Sequence, residues 1–91
     1  MQTGKKIAVI IRNRQSEALR MGIGLSILHN VDFYLLDRHL TINNEISQSL
    51  DMIKELKLCV YTNNAFNTDM QYMPTEAIAE RLLEYDSVIP Y

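Results

Sequence analysis

The sequence predicts an α/β domain built on a mostly parallel sheet. Short β-branched apolar runs of strand length, longer stretches with helical spacing, and a regular alternation of the two carry that expectation. Lys5 to Ile11 is the first strand, and its core Ile7-Ala8-Val9-Ile10-Ile11 is apolar on both faces, as an inner strand of a parallel sheet requires. Ser16 to His29 has no proline and no period-two alternation over about four helical turns, so it reads as the first helix. Val31 to Leu36 is the second strand. Asn44 to Leu56 is the second helix, with Ile46, Leu50, Ile53 and Leu56 on one stripe. Leu58 to Thr62 is a third strand, followed by the polar, irregular Asn63 to Met73. Pro74 then opens a third helix whose Ile78, Leu82 and Tyr85 line one face, and Ser87-Val88-Ile89 forms a last short strand. No linker, repeat or low-complexity tract interrupts this order, so residues 1–91 are expected to form a single domain.

A βαβαβαβ order demands right-handed crossovers, and the expected arrangement is a four-stranded sheet in the flavodoxin-like order 2-1-3-4 with helices on both faces. In that order the first helix lies alone on its face. Ala18, Leu19, Met21, Ile23, Leu25, Ile27 and Leu28 point in nearly every direction around it. One thin sheet face cannot cover them all, so the sequence predicts a homo-oligomer whose interface includes Met21, Ile23 and Ile27.

Composition narrows the function classes. Nine basic against eleven acidic residues give a formal charge of -2, which supplies no field for a nucleic-acid backbone. The longest unbroken apolar run is the five residues Ile7 to Ile11, too short for a membrane span, and no leader-like run follows Met1-Gln2-Thr3-Gly4-Lys5-Lys6. A cytoplasmic location is expected. His29 and His39 lack a third ligand at metal-binding spacing, so no metal is expected, and no cofactor is implied. Gly22-Ile23-Gly24 begins like a dinucleotide fingerprint, but Ile27 stands where the third glycine belongs and the segment lies inside a helix. A phospho-receiver domain needs acidic residues after strand one and an aspartate ending strand three, where this chain has Arg12-Asn13-Arg14 and Asn63.

Ligands of open α/β sheets sit at the carboxyl ends of the strands, where the strand order reverses. In the expected order that point lies between strands one and three, so the candidate pocket is lined by Arg12, Asn13, Asn63 and Asn64. Guanidiniums, amides and the free N–H groups of the following helix suit a small oxyanion. The competing reading has Arg12 and Arg14 solvated, or paired with Asp37 or Glu17. Cys59, between Leu58 and Val60, is expected to be a buried small hydrophobe.

Three segments, Lys6-Ile7-Ala8-Val9-Ile10-Ile11, Glu17 to Ser26, and Val31-Asp32-Phe33-Tyr34-Leu35-Leu36-Asp37, together resemble the DsrE/DsrF-like family, and the likeness spans nearly the whole chain. The resemblance implies a flavodoxin-like parallel sheet, oligomers, and kinship with cytoplasmic sulfur-relay proteins that carry a persulfide on a cysteine just after a central strand. Leu58-Cys59-Val60-Tyr61-Thr62-Asn63 is similar to the strand leading into that cysteine, yet Asn63 or Asn64 occupies its position. An amide cannot hold a sulfane sulfur. The resemblance therefore implies a non-catalytic oligomeric binding or accessory subunit, with a small oxyanion or a sulfur-relay protein as partner. The alternative it implies is a sulfurtransferase carrying a persulfide on Cys59.

Overall fold

The structure, a computed structural model, describes residues 4–37, 39–67 and 70–91; Met1–Thr3, part of the stretch considered above for a leader, lie outside the described residues. Among the described residues, five strands and three helices follow one another as β1 (Lys6–Ile11), α1 (Gln15–Leu25), β2 (Asn30–Leu35), α2 (Asn44–Glu55), β3 (Cys59–Thr62), β4 (Gln71–Tyr72), α3 (Thr75–Leu82) and β5 (Ser87–Pro90). All pairings are parallel, and the strands lie in the order β4-β3-β2-β1-β5.

The α/β class and the parallel sheet agree with the expectation from sequence, but the four strands and the 2-1-3-4 order do not. The additional strand, β4, is two exposed residues long and matches only Tyr61 and Thr62 of β3, too short for any hydrophobic period to announce it. The order differs because β1, β2, β3 and β4 step outward in one direction, and only the last crossover turns back to lay β5 against the free edge of β1. β1 thereby gains a neighbour on each side, which suits a strand buried from Ile7 to Ile11.

This order also redistributes the helices. Right-handed crossovers that move the same way along a sheet stay on one face, so α1 and α2 share a face and α3, on the return crossover, stands alone on the other. The expectation of a solitary α1 is therefore wrong. On the shared face Ile7, Val9, Ile11, Val31, Phe33 and Leu35 meet Ala18, Leu19, Ile46 and Ile53 in the larger core. Gly22 makes that contact possible, because a Cβ there would come within 2.3 Å of the Phe33 ring. Met21, Ile23 and Leu25 pack partly buried against the same core. The apolar circumference of α1 is thus largely absorbed by the sheet and α2, and the surplus falls beyond the helix end, where Ile27 is 81% and Leu28 72% exposed.

Helix boundaries follow local chemistry. Asn43 caps α2 by accepting the Ile46 N–H at 2.9 Å. Pro74 precedes α3 in extended backbone, and α1 ends in turns at 26–28. Among the described residues no helix is long and apolar enough to cross a membrane.

Candidate functional site

The carboxyl edge of the sheet gathers the loops after β1, β2 and β3 and the end of β5. β1 leaves the core at Ile11 and turns into α1 through Arg12, Asn13 and Arg14, all exposed. No residue of this turn has positive φ and none is glycine, so it forms no backbone cradle of the kind that grips phosphates; it offers side chains instead. Arg14 is the N-cap of α1 and makes no side-chain cap bond, and the first helical bond is donated by Ala18 to the Arg14 carbonyl at 2.8 Å. The amides of the first turn therefore have no partner inside the helix.

Two crevices flank the turn. The first, about 550 Å³, runs toward α2 and adds Gln15, Ser16, Glu17, Thr41 and Asn43 to Arg12, Asn13 and Arg14. The second, about 440 Å³, lies between the turn and the end of β5 and is lined by Arg12, Asn13, Arg14, Pro90 and Tyr91. Pro90 stands opposite Ile10 without an N–H to give, and Tyr91 supplies the missing bond by donating to the Ile10 carbonyl at 2.9 Å.

Of the residues expected to line one pocket, the structure brings Arg12 and Asn13 together and sets Asn63 and Asn64 apart, because β2 stands between β1 and β3. The reversal of strand order falls between β1 and β5. Asn63 instead accepts the Asp37 N–H at 2.7 Å and donates to Asp37 Oδ1 at 2.8 Å and Thr75 Oγ1 at 3.0 Å. It thus holds Asp37 in a left-handed conformation, φ 60°, and ties the β2 loop to the start of α3. Asn64 accepts the Phe66 N–H and shapes its own loop. Neither Asp37 nor Glu17 takes an arginine of the β1 turn: the ion pairs among the described residues are Lys6–Glu84 and Arg20–Glu45.

Cys59 is half-buried rather than buried, since β4 covers only the upper half of β3. It lines a groove of about 320 Å³ with Leu50, Ile53, Lys54, Leu58, Val60, Met70 and Gln71. On the face of α3 it also adjoins a polar chain that sequence reasoning missed. Tyr85 donates to Asp32 and is bonded at 2.7 Å to the Tyr34 hydroxyl; Arg81 donates from Nε to Tyr34 at 3.0 Å and from Nη2 to Tyr61 at 3.1 Å. The Arg81 guanidinium lies over the Tyr61 ring, which stacks on Tyr34 at 5.1 Å. Burial, then the bond to Cys59, pushes the Tyr61 hydroxyl up to about 12, and burial followed by the bond to Asp32 raises Tyr85. One signal was readable: Asp32, an acid inside the apolar second strand, demands a buried donor.

No cluster of three or more metal-ligating side chains occurs among the described residues. Compared with models of protein families, with curated proteins and with solved structures, the chain has no match.

Proposed function

We propose that this chain is a non-catalytic binding or accessory subunit of the DsrE/DsrF type, holding a small oxyanion, free or on a partner's tail, at the turn after β1. The observation that carries the reading is the pair of exposed guanidiniums, Arg12 and Arg14, which have no hydrogen-bond or ion-pair partner among the described residues and front two crevices at the carboxyl edge. Two such cations beside an uncapped helix start attract a carboxylate, sulfate or phosphate through charge-assisted bonds. The family resemblance supports a cytoplasmic place beside a sulfur-relay protein, and an asparagine, Asn63 or Asn64, at the position of the relay cysteine supports the absence of chemistry.

Titration of the amide NMR spectrum with sulfate and phosphate tests this. Shifts centred on residues 12–17, weakening with added chloride and lost in Arg12→Gln/Arg14→Gln, are expected at millimolar anion. Absence of shifts there refutes the reading. A homo-oligomer remains part of it, now resting on Ile27 alone, since Met21 and Ile23 are engaged within the protomer. Sedimentation of Ile27→Glu against the unsubstituted chain should show dissociation.

A second reading, a sulfurtransferase using Cys59, draws support from that residue being only half-buried. It requires that Cys59 react with alkylating reagents in the native protein, and protection until denaturation removes it.

A further inference from the structure

One face of α1 and of the turns that follow it stands in solvent. Glu17, Arg20, Gly24, Ile27 and Leu28 recur there at helical spacing, and all five are exposed. Gly24 lies at the centre. It has no positive φ, and a Cβ built on it would meet nothing within 4 Å outside the helix's own turns, so neither backbone nor packing within the protomer requires a glycine there. Gly22, two residues earlier, differs, because the Phe33 ring occupies the space its side chain would need. A glycine in a solvent-facing helix is less stable than an alanine, and what it permits is the close approach of a second backbone.

The apolar end of this face continues onto α2. Ile23 and Met52 line the groove between the two helices, about 270 Å³. One turn further along, Ile27 follows Ile23 and Leu56 follows Met52, with Met52 46% and Leu56 47% exposed. The charges of the α1 face lie at its other end: Arg20 is neutralised by Glu45 within the protomer, while Glu17 has no ion-pair partner among the described residues. Beyond Leu28 stands the exposed Lys5, whose backbone N–H donates to His29 Nδ1 at 3.0 Å and whose ammonium is likewise unpaired among the described residues. An acid at one end and a base at the other make the face complementary to itself in the antiparallel sense. A two-fold axis at Gly24 sets Glu17 of one copy toward Lys5 of the other and lays the stem of Arg20 over Leu28, whereas a parallel arrangement sets like charges together.

We propose that this face binds a second copy of the chain, the two α1 helices crossing antiparallel at Gly24 and enclosing Ile27, Leu28, Met52 and Leu56. The proposal deepens the homo-oligomer part of the reading above, for which it names the surface, and rests on it.

Sedimentation of Gly24→Gln beside the unsubstituted chain tests it. The substitution puts a good helix former into open space, so at concentrations where both chains are monomeric its denaturation midpoint should be equal or higher, while its dimer dissociation constant should rise ten-fold or more. In a Cys59→Ala background, Gly24→Cys should give a disulfide-linked dimer on air oxidation, because residues on the axis of a close crossing fall within the separation a disulfide spans. Glu17→Cys, about 20 Å from its own image across that axis, should not. A native dimer that Gly24→Gln leaves intact, or equal cross-linking of the two cysteine variants, overturns the proposal and leaves the homo-oligomer to another surface. A native chain that stays monomeric at micromolar concentration removes both and leaves the face to a different protein. If Gly24→Gln does not fold, the cysteine variants decide.

Discussion

The two faces of the sheet solve one problem by different chemistry. Under α1 and α2 the core is aliphatic with a single phenylalanine, and its stability rests on shape: Gly22 must be small because Phe33 is large. Under α3, one eight-residue helix has to serve the whole face, and Ile78 is its only buried residue. There the covering is completed by tyrosines and Arg81, whose long stem and planar head spread over Tyr61 while every polar end meets a partner. A well-covered face can be dry; a thinly covered one is closed by side chains that tolerate water at their tips.

The contrast can be broken most severely on the dry face. Gly22→Val puts its side chain into the Phe33 ring, where backbone and strand leave no slack, and should cost about 3 kcal/mol or more by chemical denaturation. A loss below about 1 kcal/mol would show that the α1 contact is loose and the comparison misplaced. On the face of α3, Tyr34→Phe keeps the ring stack but strips the hydroxyl shared by Tyr85 and Arg81, and should cost about 1–3 kcal/mol. Its effect should be non-additive with Tyr85→Phe, because both belong to one chain of bonds.

The dependence on pH is the effect that sharpens the distinction most. Tyr61 ionises near 10 when unfolded and is pushed up to about 12 when folded, and Tyr85 is raised as well. Below pH 10 both states are protonated and the full stability is present. Above it the unfolded chain loses protons that the folded chain keeps, so stability falls by about 1.4 kcal/mol per pH unit per tyrosine as pH rises from 10 toward 12. Denaturation midpoints of the Tyr61→Phe variant should decline less steeply in that window. Equal slopes would mean that the α3 face is as wet as the surface.

Much of the fold was legible because its signals are local. Ile7 to Ile11, the stripe of α2, and Pro74 before α3 each announce an element within a few residues, and the structure keeps all three. Strand order is not local: whether the last strand joins β3 or β1 depends on which edge is left free, and no spacing in the chain records that. The site inherited the same blindness. Arg12 and Asn13 were found from the loop they occupy, but Asn63 and Asn64 were added to them on the strength of the wrong order, and Pro90 and Tyr91 were passed over for the same reason. Asn63 has a clear local role once Asp37 is seen at φ 60°, a conformation no residue type betrays with certainty.

The position of β5 also sets an order of assembly. At its amino end β1 is tied to the turn before β2 by the Lys5–His29 bond, 24 residues apart, and to the segment before β5 by the Lys6–Asp86 bond, 80 residues apart. Closing the longer loop costs about 1 kcal/mol more in chain entropy, and its contacts come from a strand of only four residues. β5 therefore docks on β1 later than β2 does and detaches from it earlier in local opening, and amide exchange should be faster along the β1–β5 ladder than along the β1–β2 ladder. Because Pro90 ends this strand and Tyr91 follows it, the crevice they share with Arg12 exists only in the completed molecule.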